Sequence, residues 1–372
     1  MNTQSNFSTT PISKLVAFAC LSMASALSFA QQTPSKISPI TETEKSEVIH
    51  ALMKNMTDKY VFPEVAKKVN HMLADKLKKS AYAKVNDANS FAKQLTQELQ
   101  AETHDKHLNI EFEEEEIPVR DDAGEPSAEE KAKEVQEEIT FMKAMNFGIE
   151  RVERLPGNIA YIDYRGFGNA EIVGPALSAA MQLVHASDAL IIDLRKNHGG
   201  SPATVAMLAS YFLPAETHLN DIYNREKNTT TQMWTSAYTA SPRYDAAKKV
   251  YVLTSKETFS AAEDLAYTLQ SQKRSITVGE VTGGGAHPVT AARLNAHVMG
   301  IIPVARSISP VTHSNWEGVG VVPEMKTDAN EALKLAQRDA ITHLLKTETH
   351  PGKKGSLERA LAKLSGAETP VK

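Results

Sequence analysis

Apolar residues at helical spacing fill the first part of the chain. Between Thr43 and Tyr60, the positions Val48, Ile49, Leu52, Met53 and Met56 recur with a period near 3.6 and predict an amphipathic helix. Tyr60-Val61-Phe62-Pro63-Glu64 breaks it, and Pro63 suits the first turn of the next helix. The stripe of that helix is Val65, Val69, Met72, Leu73 and Leu77. A third helix over residues 87–100 presents Phe91, Leu95 and Leu99. The period then changes. From His107 to Phe112, Leu108, Ile110 and Phe112 alternate with His107, Asn109 and Glu111, as in a half-buried strand. Acidic residues crowd 111–138, with a helix starting at Ser127 and reaching about Met145, read as a solvated insertion.

Beyond Pro156 the pattern becomes strand, helix, strand. Residues 158–164 predict a strand, 170–187 a helix and 203–212 another helix. The run 188–195 is nearly continuous in apolar residues, which predicts a strand covered on both faces. The theme repeats in a strand over 250–254, a helix from 260 and a strand over 276–279. Residues 289–294 and 298–304 predict a hairpin around Asn295-Ala296-His297. Asp328 and Glu331 open a helix to about Leu345, and the Lys-rich tail from Gly352 predicts a frayed amphipathic helix. Such alternation argues for an α/β core around a mainly parallel sheet.

Ser260 falls where the strand at 250 gives way to its helix. Free N–H groups and the positive end of the helix dipole gather there, and both favour a developing negative charge. The same residues fit a second role: Ser260 with Glu263 is an S-x-x-E capping box that needs no catalysis. Glycine-rich turns follow two other strands, at Gly199-Gly200 and at Gly283–Gly285. Gly283–Gly285 lacks the Lys-Ser/Thr ending of a phosphate loop.

Composition narrows the function. A formal charge of −4 over 372 residues argues against a nucleic-acid binder. Lys14 precedes an apolar run, and Ser28-Phe29-Ala30 offers a small-x-small cleavage site, so export with cleavage after Ala30 is expected. The run is short for a membrane span. The single cysteine, Cys20, lies inside this leader, which leaves the mature chain without disulfides or thiolate chemistry. His104, Asp105 and His107 lack the His-Glu-x-x-His spacing of a zinc helix, and neither a metal nor a cofactor is expected.

Five motifs stand in a telling order. Asp105-Lys106-His107 comes first, then Asp193-Leu194-Arg195-Lys196-Asn197-His198-Gly199-Gly200, then Phe259-Ser260-Ala261-Ala262-Glu263. Gly279-Glu280-Val281-Thr282-Gly283-Gly284-Gly285 and Trp316-Glu317-Gly318-Val319-Gly320-Val321-Val322-Pro323 complete the set. This order resembles the tail-specific (C-terminal processing) serine peptidases, in the branch of the tricorn core and the interphotoreceptor retinoid-binding protein. The likeness spans most of residues 45–347. The better-known branch uses a Ser/Lys dyad with lysine in a Gly-Lys-Gly segment, but the matching segment here is Gly283-Gly284-Gly285. The resemblance therefore implies the triad of the tricorn-like branch: Ser260 as nucleophile, His107 as base and Glu317 as its carboxylate. Backbone N–H groups of Gly199, Gly200 and Ala261 are candidates for the oxyanion hole. His104 and His287 are rival bases.

The resemblance also implies an α/β crotonase-like spiral of strand-strand-helix units, with the helical region 31–106 packed on a core of 107–350. In this division 1–30 is the leader, 113–145 the acidic insertion and 351–372 a basic tail, and no PDZ domain has room. The expected function is an exported peptidase acting on peptides or proteins. Two alternatives remain, a non-catalytic binder of apolar ligands and an assembly factor in which Ser260 only caps its helix.

Overall fold

The computed structural model describes residues 38–119 and 127–366. The leader, its cleavage site and Cys20 lie outside these residues. Helices α1 (Glu42–Lys59), α2 (Pro63–Lys78) and α3 (Ala88–Thr103) come first, followed by β1 (Asn109–Phe112) and α4 (Ala128–Ala144). The α1 cap is reciprocal, Thr41 with Glu44, and that of α4 is Ser127 with Glu130. Strands β2 (Ile149–Leu155) and β3 (Ile159–Tyr164) precede α5 (Ala170–Val184), β4 (Ala189–Asp193) and α6 (Pro202–Ala209). Next come β5 (His218–Asn224), β6 (Thr229–Trp234), β7 (Lys249–Thr254), α7 (Ala261–Ser271) and β8 (Ile276–Gly279). The chain continues through β9 (Val289–Arg293), β10 (Val298–Pro303), β11 (Ala305–Ile308) and β12 (Met325–Lys326). It ends in α8 (Ala329–Leu345) and α9 (Pro351–Leu364).

The central sheet has the order β12-β8-β7-β4-β3-β2, parallel throughout except for the antiparallel edge strand β2. Both faces are covered, which explains the unbroken apolar runs of β3, β4 and β7. Ala160, Ile162, Leu190, Ile192, Val250 and Val252 pack towards α5, α6 and α7. Their neighbours Ile159, Tyr161, Ala189, Ile191, Tyr251 and Leu253 pack towards α8 and α9. One strand thus feeds two cores by simple alternation. The tail helix is docked rather than frayed, because Leu357 is buried in the second of these cores.

The three N-terminal helices do not close a core by themselves. Val48, Leu52, Phe91 and Leu95 share theirs with Ile110 of β1 and with Ala292, Val298 and Ile302 of the β9-β10 hairpin. Strands β1, β10 and β9 form one antiparallel sheet, and β11-β5-β6 another. A segment nearly two hundred residues downstream therefore completes the core of the helical region. Among the described residues, no helix is long and apolar enough to cross a membrane.

This topology fixes where chemistry can occur. Parallel strands β4, β7 and β8 are adjacent, so their C-terminal ends lie along one edge of the sheet. The Gly199-Gly200 turn, Ser260 and the Gly283–Gly285 turn leave those three ends. Open α/β sheets place their sites along such an edge.

Candidate active site

Ser260 is the N-cap of α7 and sits at φ 55°, ψ −122°, a conformation that a residue with a Cβ rarely adopts. Such strain persists only when the surroundings enforce it. Here Glu263 supplies part of the enforcement. Its carboxylate is fully buried and accepts from the Ser260 N–H at 2.9 Å, Gly285 N–H at 2.8 Å, Gly284 N–H at 2.7 Å and the Thr282 hydroxyl at 2.5 Å. Burial pushes this carboxyl up from its ordinary range, while the four donors pull it back. One side chain thus ties the serine turn to the triple-glycine turn.

Gly199 lies directly against the serine. A Cβ built there would stand 2.6 Å from Ser260 Cβ and 2.9 Å from the Ala261 nitrogen, and its φ is +105°. Both facts require glycine. Its own N–H, however, donates to Asn197 Oδ1 at 2.9 Å, so Gly199 is not a free oxyanion donor as the sequence suggests. It makes room for the serine instead. Among the described residues the Gly200 and Ala261 N–H groups have no hydrogen-bond partner. Asn197 is buried and joins the two turns, because its carbonyl accepts the Phe259 N–H at 3.0 Å. Gly199→Ala is expected to shift the serine turn and lower turnover by about 10²-fold or more, since ångström misplacements cost that much. Steady-state rates on a casein-type substrate would show it. A variant within threefold of wild type would contradict the packing.

His107 does not begin β1. It stands in the turn before it, because Asp105 Oδ1 accepts the His107 N–H at 3.0 Å and diverts the backbone from the ladder. The imidazole packs on the Phe259 ring, with centroids 4.5 Å apart. It also touches Gly285, where a Cβ would come 2.6 Å from the His107 Cε1 atom. Lys106 Nζ donates to the Gly283 carbonyl at 2.6 Å and anchors this turn to the sheet edge. Burial holds the His107 ring down to about 4, against a smaller opposing pull from Asp105. The ring is therefore neutral at neutral pH.

Glu317 arrives on the loop after β11. Trp316 Nε1 donates to the Gly285 carbonyl at 2.6 Å, and the Gly318 N–H to the Gly284 carbonyl at 2.9 Å. Glu317 Oε2 accepts the Ala286 N–H at 2.5 Å. Burial, with Asp105 nearby, pushes this carboxyl up to about 7. A ring nitrogen of His107 and carboxylate oxygens of Asp105 and Glu317 all lie within 4.8 Å of one another.

The rival histidines separate clearly. His104 ends α3 in a left-handed conformation, and its side chain is exposed. His287 is buried, with Nδ1 2.7 Å from Asp105 Oδ2 and 3.4 Å from Glu317 Oε2. Sequence reasoning assigns Asp105 no role of its own, yet it is buried and meets Tyr60, His107 and His287. The Asp-x-His spacing was its only signal. Ser260 and His107 are not hydrogen-bonded to each other among the described residues. They are joined through Phe259, which neighbours one in the chain and packs at a tilt against the other.

Two family models match the chain: Peptidase family S41 over residues 158–327, and the N-terminal domain of Peptidase S41 in eukaryotic IRBP over residues 35–147. The chain belongs to peptidase family S41 and is a serine-type peptidase. Its fold is similar to that of a lipoprotein from Streptococcus agalactiae, with a TM-score of 0.52 at 11% identity, covering 83% of this chain and 99% of the other. It is also similar to mature CPAF, with a TM-score of 0.52 at 10% identity, covering 82% and 99%. The photosystem II D1 C-terminal processing protease matches at a TM-score of 0.46 and 15% identity, covering 78% and 94%.

Proposed function

We propose that this peptidase works through an acyl-enzyme on Ser260, with His107 as general base and Glu317 as the carboxylate that supports it. The observation that carries this reading is the serine turn: Ser260 at positive φ, pinned by Glu263, with Gly199 cleared from its side. A pure helix cap needs none of that strain. His107 would take the hydroxyl proton as the oxygen attacks the scissile carbonyl, then return it to the leaving amine. The Gly200 and Ala261 N–H groups are the donors free to meet the oxyanion.

Two orphaned atoms favour the pairing of base and carboxylate. His107 Nδ1 and Glu317 Oε1 are both buried, and among the described residues neither has a hydrogen-bond partner. Bonding them to each other would satisfy both and leave the other ring nitrogen for the serine. Catalytic bonds often tighten only when substrate is present. The apolar-ligand alternative would use none of the charged groups here. The cavity beside the cluster, about 530 Å³, is lined by Asp105, His287, Arg306 and Glu317 as well as by Tyr60 and Phe62.

The test is a serine-directed fluorophosphonate with peptide mapping. Label on Ser260, absent from Ser260→Ala, is the expected result; label elsewhere overturns the assignment. A pH dependence follows from the two titrations. At pH 7 His107 is already neutral, so the acid limb of kcat/KM is set by Glu317, whose carboxylate forms as pH rises through about 7. Activity is expected to climb between about pH 6 and 8, and Glu317→Gln to flatten that limb while lowering the plateau. An acid limb and plateau that Glu317→Gln leaves unchanged would rule out the role of Glu317. Export, from the residue pattern of 14–30, belongs to the same proposal.

A further inference from the structure

The geometry points to a divalent-cation site at His107, Asp105 and Glu317, of the kind zinc occupies, at which the ion switches the peptidase off. The donor set is mixed: one imidazole and two carboxylates, drawn from two turns more than two hundred residues apart. Their ligand atoms already lie within 4.8 Å of one another. A tetrahedral zinc, with bonds of about 2.0–2.2 Å to nitrogen and oxygen, holds its ligands about 3.3–3.6 Å apart. Binding would have to draw these side chains together by up to about 1.2 Å.

The two unpartnered atoms are the second observation. His107 Nδ1 and Glu317 Oε1 are buried, and each lacks a hydrogen-bond partner among the described residues. Such groups are costly unless something occupies their lone pairs. His107 Nδ1 can coordinate a metal when the ring proton sits on Nε2, and the neutral ring needs no deprotonation first. Asp105 has the outer support typical of a metal carboxylate, because Oδ2 is 2.7 Å from His287 Nδ1.

Access and room come from the same cavity. Asp105 and Glu317 line it together with His287, Tyr60 and Phe62. Its volume can hold an ion and the water that completes four-coordination. An imidazole and only two carboxylates suit a first-row ion such as zinc. Magnesium and calcium, which need about six or more oxygens, would find too few here.

The switch rests on the triad reading; the binding site does not. A zinc ion on Nδ1 would hold the base away from the serine and occupy the carboxylate that supports it. A chelator that withdraws the ion would lift the block.

The experiment titrates the untagged, metal-free protein with ZnCl₂ and separately with MgCl₂ by calorimetry. Wild type, Ser260→Ala, His107→Ala and Asp105→Asn are compared, each checked for native circular dichroism; His107→Gln replaces His107→Ala if the latter does not fold. One zinc per chain is expected for wild type and Ser260→Ala. Binding should be weaker by more than about 10–100-fold in the His107 and Asp105 variants, since loss of a mere supporting partner costs that much, and magnesium should not bind. Zinc should slow fluorophosphonate labelling of wild-type Ser260 with the midpoint of the binding curve, and EDTA should restore it. Absence of zinc binding, or binding indifferent to both substitutions, overturns the site. Zinc bound with the expected ligand dependence but with unchanged labelling overturns the switch. Loss of labelling in metal-free wild type, with zinc binding intact, would instead overturn Ser260 as nucleophile and leave the metal site standing.

Discussion

Ser260→Ala is expected to abolish peptide hydrolysis, with kcat falling on the order of 10⁶-fold, and to leave the fold intact. The fold should survive because the serine turn is held by Glu263 through the backbone N–H of residue 260, which alanine retains. His107→Ala should lower kcat by about 10²–10⁴-fold, the contribution of a positioned general base. The double variant separates a shared mechanism from two independent injuries. Groups that act as a unit are not additive, so Ser260→Ala with His107→Ala should be no slower than Ser260→Ala alone. Stopped assays on a fluorogenic peptide read all three. Wild-type rates in His107→Ala would show that the contact of its ring with Phe259 is packing and nothing more.

Glu263→Ala should be the most damaging substitution to stability. Removing that carboxylate strands three backbone N–H groups and the Thr282 hydroxyl in a dry interior. Each orphaned donor costs about 1–3 kcal/mol, which suggests a loss of about 4 kcal/mol or more. It would also release the Gly283–Gly285 turn, on which His107, Trp316 and Gly318 lean. Chemical denaturation with unchanged m-value would measure the cost. A loss below about 1 kcal/mol would mean that water replaces the carboxylate and that the serine turn keeps its shape without it. Glu263→Gln should fall between, because its amide can accept two bonds but sets an NH₂ group against remaining donors.

The strands missed by periodicity show where pattern reading fails. Strand β2 is charged at alternate and adjacent places and lies at a sheet edge. Strands β5 and β6 carry few apolar residues, and β6 is almost wholly exposed. These segments are extended because their backbones pair with neighbours, a property of the fold and not of their side chains. A different cause moved the start of β1. Its alternation includes His107, yet the Asp105 carboxylate captures that N–H, and the ladder begins at Asn109. The strands buried on two faces, β3, β4 and β7, and the capped helices are by contrast legible, because such burial and local capping chemistry are both written in consecutive residues.

The chain by itself fixed the alternating α/β order, the helices before it, the serine at a strand-to-helix junction and the order of motifs that marks the family. These depend on neighbours a few residues apart, so the linear text holds them. Only the folded arrangement decided that Gly199 makes room while its N–H is spoken for, that Glu263 is a brace, and that Asp105 and His287 stand beside Glu317. Those facts depend on three parallel strands ending along one edge, with a distant turn closing over them. No spacing in the sequence encodes a distance measured across a sheet.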